Sequence, residues 1–316
     1  MFFTSFAVLL PVLFVMILGY WAGHRGKFSA DQVKGINDIV LDYALPALMF
    51  VGIVQTTRDE MAAEVPFLIV IFLAFVGLFI VVLLFSLRVR RHSLGAAALQ
   101  ANLVSLPSVA FIGTPIFRGL FGESGLVSIT FATVLGLVTI VPLTVVLLEI
   151  HAKKVSGGET DRLSELVRKS LVTSFRKPMV WAPLSAVTLT LLNVPTPKEV
   201  DDMLELIGSA TGGLSLFLAG LIIAAYRVRL SGEVIGNVLV KMSVQPLLMV
   251  AFVSTLAVDE LLGRQAIVIC AIPSAVLAPL LAPRYHVYES ESASTLVLTT
   301  LTMIVTLPVA IFLTGR

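Results

Sequence analysis

Ten apolar stretches run through the chain, and this pattern constrains the fold more than any other feature of the sequence. A membrane-spanning helix needs about 20 apolar residues. Of the 316 residues, 57% are hydrophobic and only 13% are charged, against roughly 25% charged residues in soluble domains. This composition excludes a cytosolic enzyme, a nucleic-acid-binding protein and a disordered chain. The apolar stretches are 2–23, 33–55, 65–87, 94–120, 125–149, 178–194, 203–226, 234–258, 264–286 and 293–314.

Basic residues are distributed unevenly between the loops that join these stretches. When residues at the edges of the stretches are counted with the adjacent loop, sixteen of the 22 Lys and Arg residues follow odd-numbered stretches and five follow even-numbered stretches or end the chain. The remaining one, Lys241, lies well inside a stretch. Short cytoplasmic loops of membrane proteins are enriched in Lys and Arg. We therefore expect a multi-pass protein of the bacterial inner membrane with both termini periplasmic. The first stretch has no basic residues before it and is about as long as a membrane span, so we expect a retained span and not a cleaved signal peptide.

The two halves of the chain resemble each other after a shift of 166 residues. Residues 107–147 align with 273–313 without a gap, and ten of these 41 pairs are identical. Because each half holds five stretches, an odd number, the second half must be inverted relative to the first. The pattern predicts an all-α polytopic membrane protein of ten transmembrane helices. Its two inverted five-helix repeats are residues 1–150 and 178–316, joined by a cytoplasmic linker at 151–177.

Prolines interrupt the fourth and ninth stretches at positions related by the repeat, Pro107 and Pro273. A proline removes a helical hydrogen bond and clashes with the preceding turn. Broken helices in inverted repeats form binding sites in secondary transporters, and helix N-termini attract anions. We therefore predict an anion-binding site at the two crossover helices, with polar groups from Asn102, Ser108 and Ser274. Two ordinary proline kinks are the alternative.

Few ionisable residues lie inside the apolar stretches. Asp42, with Asn37 in the same stretch, is a candidate for binding a coupling proton or cation, because intramembrane acids are costly and commonly functional; pairing with a structural partner is the alternative. Lys241 either supplies positive charge to the substrate site or extends its ammonium group to the cytoplasmic surface. The sequence has no phosphate-binding loop, no HExxH or GxSxG motif and a single cysteine, so we expect no enzyme activity, cofactor or metal.

The motifs of the chain resemble those of the auxin efflux carrier family over essentially all 316 residues. The resemblance rests on the segments DYALPALMF, SVAFIGTPIF, LFGESG and IPSAVLAPLLAPRYHVYESESAS. The segment PSVAFIGTPIF is more similar to the malonate-carrier branch than to the plant hormone carriers. Many bacterial relatives have an asparagine at the position of Ser108, so the resemblance assigns the ligand of this half to Asn102 or to the Ser108 hydroxyl.

This resemblance implies a scaffold of spans 1, 2, 6 and 7, a mobile bundle of the other six spans, elevator-like transport and a homodimer. Together with the paired breaks, it predicts a secondary transporter of small organic anions, with a dicarboxylate such as malonate as the leading candidate. Two alternatives are open. One is a sodium- or proton-coupled carrier of another carboxylate or of an auxin-like monocarboxylate. The other is a non-transporting membrane sensor or scaffold that signals through residues 151–177.

Overall fold

The structure is a computed structural model that describes residues 2–156 and 163–314. These residues form helices and loops, with one isolated β-bridge. The predicted linker at 151–177 lies partly outside the described residues, at 157–162. In chain order the helices are α1 (Phe2–His24), α2 (Ala30–Val54), α3 (Arg58–Arg88), α4 (Leu94–Ser105), α5 (Val109–Gly122), α6 (Ser124–Ser156), α7 (Leu163–Phe175), α8 (Pro178–Leu191), α9 (Lys198–Ala224), α10 (Gly232–Thr255), α11 (Glu260–Cys270), α12 (Leu277–Tyr285) and α13 (Glu289–Thr314).

Among the described residues, six helices are long and apolar enough to cross a membrane: α2, α3, α6, α9, α10 and α13. The remaining apolar stretches hold α1, α8 and the interrupted pairs α4–α5 and α11–α12. The prediction of an all-α polytopic membrane protein is confirmed. The ten-helix inverted repeat stays a prediction.

The chain divides into two compact units that alternate along the sequence. The first unit comprises the chain up to Leu68, Val109–Val134 and Arg176–Tyr226, and therefore contains α1, α2, α5, α8 and α9. The second comprises Ile69–Ser108, Leu135–Phe175 and the chain from Arg227 onward, with α4, α7 and α10–α13. Spans 1, 2, 6 and 7 thus all contribute to the first unit.

Three of the long helices widen locally into π-helical turns: Val40–Ala44 in α2, Leu73–Gly77 in α3 and Val240–Val244 in α10. In α2 and α10 the turn is followed by Pro46 and Pro246. A proline ring clashes with the carbonyl group four residues earlier, and a wider turn relieves that clash. The turns in α2 and α10 contain the ionisable candidates Asp42 and Lys241.

Helices α1 and α9 cross at very close range inside the first unit, and two glycines make this possible. A Cβ atom at Gly19 would overlap the carbonyl oxygen of Phe217, and one at Gly220 would overlap the carbonyl oxygen of Met16. Small residues allow the backbones of membrane helices to approach closely and pack well. The crossing therefore depends on the absence of side chains at these two positions.

We expect Gly220→Ala to lower the melting temperature of the detergent-purified protein, because the added methyl group meets backbone and not a movable side chain. Overpacking of this kind costs about 1–3 kcal/mol. Gly213→Ala in the same helix is the matched control, since a Cβ at Gly213 has no contact within 4 Å beyond its own stretch of helix. An equal melting temperature for the wild type and Gly220→Ala would contradict the close crossing.

Candidate functional site: a crossing of two broken helices

The second unit brings the two proline-containing breaks into direct contact. Helix α4 ends at Ser105 and α11 ends at Cys270, and the extended segments that follow pair through an antiparallel bridge between Pro107 and Ser274. The Ser108 amide donates to the Pro273 carbonyl at 2.7 Å, and the Ala275 amide donates to the Leu106 carbonyl at 2.9 Å. A residue before proline favours extended backbone, as Leu106 shows with φ −98° and ψ 111°.

Side chains complete the hydrogen bonds that the breaks remove. In an uninterrupted helix the Leu103 carbonyl would accept from the amide of residue 107, but proline has no amide hydrogen. The Ser274 hydroxyl donates to this carbonyl at 2.6 Å instead. The Ser105 carbonyl accepts from the Gln245 side chain at 2.7 Å. Polar residues near the breaks therefore stabilise the crossing itself, and Ser274 is one of them.

Lys241 lies fully buried beside the crossing. Its ammonium group donates to the Gln245 side-chain oxygen and, at 3.2 Å, to the carbonyl of Cys270, the last residue of α11. Because Gln245 in turn holds the end of α4, one Lys–Gln pair connects the C-terminal ends of both broken helices. Among the described residues, no carboxylate forms an ion pair with Lys241. The alternative that Lys241 extends to the cytoplasmic surface is wrong, because α10 directs this side chain into packed helices.

Two buried polar side chains near the crossing have unused hydrogen-bonding capacity. Asn102 donates to the Thr144 hydroxyl at 3.1 Å, but its side-chain oxygen has no partner. The Ser108 hydroxyl also has no partner, although Ser108 is only 3% exposed. Buried polar atoms are nearly always hydrogen-bonded. Both groups lie in the same unit as the crossing. The Ser108 hydroxyl can donate to a ligand, whereas the Asn102 oxygen can only accept.

A polar network lies at one end of the second unit. Glu233 lies at the start of α10, and its carboxylate accepts from the Tyr288 hydroxyl at 2.6 Å. The same carboxylate lies 3.4 Å from Arg90 Nη2 and 3.5 Å from His92 Nε2. Burial and the hydrogen bond to Glu233 raise the pKa of Tyr288, so its phenol stays protonated. These residues come from the loops after stretches 3, 7 and 9, which the basic residues predict on one side of the membrane.

Asn237 extends this network into the packed interior. Its side chain donates to the Tyr288 hydroxyl at 3.0 Å and to the Thr295 hydroxyl at 3.3 Å. It accepts from the Gln100 side chain at 2.8 Å, and the Gln100 side-chain oxygen has no partner. The sequence-based prediction did not include Gln100, Asn237 or Gln245 as site residues, although their polar side chains within apolar stretches were the available signal.

Asp42 and Asn37 belong to the first unit and not to the unit that holds the crossing. Asp42 is exposed and Asn37 half-buried. The buried acid of this unit is Glu64, which accepts from the Ser128 hydroxyl at 2.7 Å. Sequence reasoning overlooked Glu64 because it borders the third apolar stretch, and the position of Ser128 is set by tertiary packing.

A polytopic helical bundle with crossing broken helices and unpartnered polar groups beside them has the architecture of a membrane transporter. Comparison with known proteins agrees, since residues 4–311 match the family described as "Membrane transport protein". The chain belongs to this family, the auxin efflux carrier family, which confirms the resemblance seen in the motifs.

Individual relatives cover almost the whole chain. It is 31% identical over 309 residues to "Uncharacterized transporter YfdV" of Escherichia coli (strain K12), covering 96% of each protein. It is 20% identical over 309 residues to a "Putative malonate transporter" of Rhizobium meliloti, covering 97% of this chain and 94% of that protein. It is also 24% identical over 327 residues to "Auxin efflux carrier component 8" of Arabidopsis thaliana, with 88% of each covered.

Proposed function

We propose that this membrane transporter is a secondary carrier of small organic anions and that a dicarboxylate such as malonate is its substrate. The observation that carries the proposal is the buried Ser108 hydroxyl, which has no partner and lies in the unit of the crossed breaks. The Ser108 hydroxyl and the second amide hydrogen of Asn102 can donate to a carboxylate. Lys241, buried at the end of α11, adds positive charge when it is protonated. The putative malonate transporter among the relatives supports the choice of a dicarboxylate.

Several wider features belong to the same proposal. An elevator-type mechanism, in which the bundle holding the crossing carries the anion, is supported by the presence of spans 1, 2, 6 and 7 in one compact unit, which also contains α5 of span 4. The inverted repeat is supported by the π-helical turns at 73–77 and 240–244, whose starts are 240 − 73 = 167 residues apart, close to the repeat shift of 166. A homodimer in the bacterial inner membrane, with periplasmic termini, completes the proposal.

Uptake of labelled malonate by proteoliposomes containing the purified protein tests the function. We expect saturable uptake that unlabelled dicarboxylates inhibit more strongly than monocarboxylates, in vesicles that carry defined sodium and pH gradients. Stronger inhibition by an auxin-like monocarboxylate would assign a different carboxylate. Binding of malonate without any flux or counterflow would instead favour the sensor or scaffold, and deletion of residues 163–175 would then abolish signalling.

The coupling ion is tested separately with Asp42→Asn, which removes the charge with little change in side-chain volume. If Asp42, with Asn37 nearby in α2, binds a coupling sodium ion or proton, the variant is expected to lose the sodium or pH dependence of malonate uptake. Asp38→Asn, also exposed in α2, is the matched control. Unchanged sodium and pH dependence in Asp42→Asn would remove Asp42 from the coupling role.

A further inference from the structure

Four residues of α10 form a polar stripe that has an apolar counterpart in the other half of the chain. Glu233, Asn237, Lys241 and Gln245 are spaced four residues apart. The repeat shift of 166 relates them to Phe67, Ile71, Phe75 and Phe79 of α3, which are all fully buried. The corresponding helix in the first half thus needs no polar group on this face. The polar stripe of α10 therefore makes hydrogen bonds that the corresponding face of α3 does not make.

The stripe has polar contacts at both of its ends, with the polar network of Glu233 at one end and with the crossing at the other. Glu233 is linked through Tyr288 to Asn237, and Lys241 lies one helical turn further along α10. Lys241 and Gln245 then contact the ends of α11 and α4. The stripe connects a face that the basic residues predict to be cytoplasmic with the two breaks, and Lys241 is its one ionisable group at the crossing.

Two opposing influences act on the charge of the buried Lys241 amine. Burial away from water disfavours the charge, whereas the C-terminal ends of α4 and α11 carry partial negative charge that favours it. Its hydrogen-bond partners, Gln245 and the Cys270 carbonyl, are neutral. An anion bound at the crossing would add the missing negative charge and favour protonation.

We propose that Lys241 is the proton-binding site of the transporter, and that each anion bound at the crossing is accompanied by one proton taken up on its amine. The inference rests on the proposed function and specifies how the anion is coupled to an ion gradient. A monocarboxylate would then move without net charge, and a doubly ionised dicarboxylate would move with one net negative charge. The polar stripe from Glu233 to Lys241 provides the access route for the proton.

Other ionisable groups near Lys241 are few. Of the helices packed against residues 240–244, α4 has none, α13 has only Glu289 and Glu291 in its first turn, and α10 itself has only Glu233, two turns away. The titratable side chain at the end of α11 is the thiol of Cys270, whose carbonyl Lys241 contacts. Protonation of Lys241 is therefore the simplest source of pH dependence at the crossing.

Calorimetric titration of the purified protein with malonate, in buffers of different ionisation enthalpy, counts the protons taken up. For the wild type above neutral pH, we expect the protein to take up about one proton for each malonate bound. Its affinity for malonate is then expected to fall up to about tenfold for each unit by which the pH is raised. Lys241→Arg, whose charge is permanent, is expected to bind malonate with no proton uptake and no pH dependence. Lys241→Met is expected to bind weakly at every pH, and Lys34→Gln, an exposed lysine, to behave as the wild type.

The same variants in proteoliposomes with an internal pH-sensitive dye give the matching flux measurement. Size-exclusion profiles and melting curves test whether each variant is folded. If Lys241→Met does not fold, Lys241→Arg alone tests the proposal. Proton uptake that persists in both Lys241 variants would overturn the inference. The same holds if proton uptake is lost in Asp42→Asn but kept in the Lys241 variants. Malonate flux without proton movement in the wild type would overturn the inference about Lys241 but leave the proposed transport function intact. Absence of both malonate binding and malonate flux would overturn the proposed function and the inference together.

Discussion

Ser108→Ala is expected to reduce malonate uptake about ten- to a hundredfold without lowering the melting temperature. The Ser108 hydroxyl is buried and has no protein partner, so its removal breaks no hydrogen bond of the folded chain. A hydrogen bond to a charged group is worth about 1.5–3 kcal/mol, and 1.4 kcal/mol corresponds to a tenfold change. The measurement is the initial rate of labelled malonate uptake as a function of malonate concentration.

Ser274→Ala is the matched control, because the two serines are related by the repeat but differ in their partners. The Ser274 hydroxyl donates to the Leu103 carbonyl, which Pro107 leaves without an amide donor. Removing it leaves a buried carbonyl unpaired, at a cost of about 1–3 kcal/mol of stability. We therefore expect a lower melting temperature for Ser274→Ala. An unchanged uptake rate in Ser108→Ala would remove this hydroxyl from the substrate site.

Asn102→Ala is expected to abolish most malonate uptake, again with little loss of stability. The Thr144 hydroxyl, which accepts from Asn102, also donates to the Ile140 carbonyl at 2.7 Å and so keeps a partner. The Asn102 amide nitrogen has a second hydrogen besides the one donated to Thr144, and the loss of its bond to a carboxylate should reduce uptake at least about tenfold. Thr144→Val removes the acceptor that orients Asn102, and we expect a smaller decrease in uptake from this variant.

Asn102→Asp distinguishes an anion ligand from a cation ligand at the same position. The side chain keeps its shape but gains a negative charge, which repels a carboxylate in a low-dielectric site. If Asn102 contacts the anion, uptake should fall further than in Asn102→Ala at every sodium concentration. Uptake that is retained and becomes more sensitive to sodium would show that the side-chain oxygen binds a cation instead, and would contradict the proposed role.

The local features of the fold were predictable because they depend on residues close together in the sequence. Hydropathy located the apolar helices, since a long apolar run has few other stable environments. Pro107 and Pro273 located the breaks, because proline disrupts a helix wherever it occurs in its interior. The family was likewise recognisable from short motifs such as SVAFIGTPIF. None of these inferences required knowledge of which helices are neighbours.

The partners of the polar side chains could not be predicted in this way. Ser108 and Ser274 occupy equivalent positions in the repeat, yet only Ser274 meets a carbonyl that lacks a donor. Asp42 lies inside an apolar stretch but its side chain is exposed on the protein, whereas Glu64 at the border of a stretch is buried against Ser128. Whether a polar side chain is buried or free depends on helices distant in the sequence.

By itself, then, the sequence determined a polytopic helical membrane protein of the auxin efflux carrier family with proline breaks in two helices. It could do so because hydropathy, proline geometry and motif similarity are properties of the chain alone. Only the tertiary structure decided that the breaks pair with each other and that Lys241 lies buried at their ends. The physical reason is that burial and hydrogen bonding are set by which helices pack together. Side chains of equal polarity thus become structural, as Gln245 does, or stay available for a ligand, as Ser108 does.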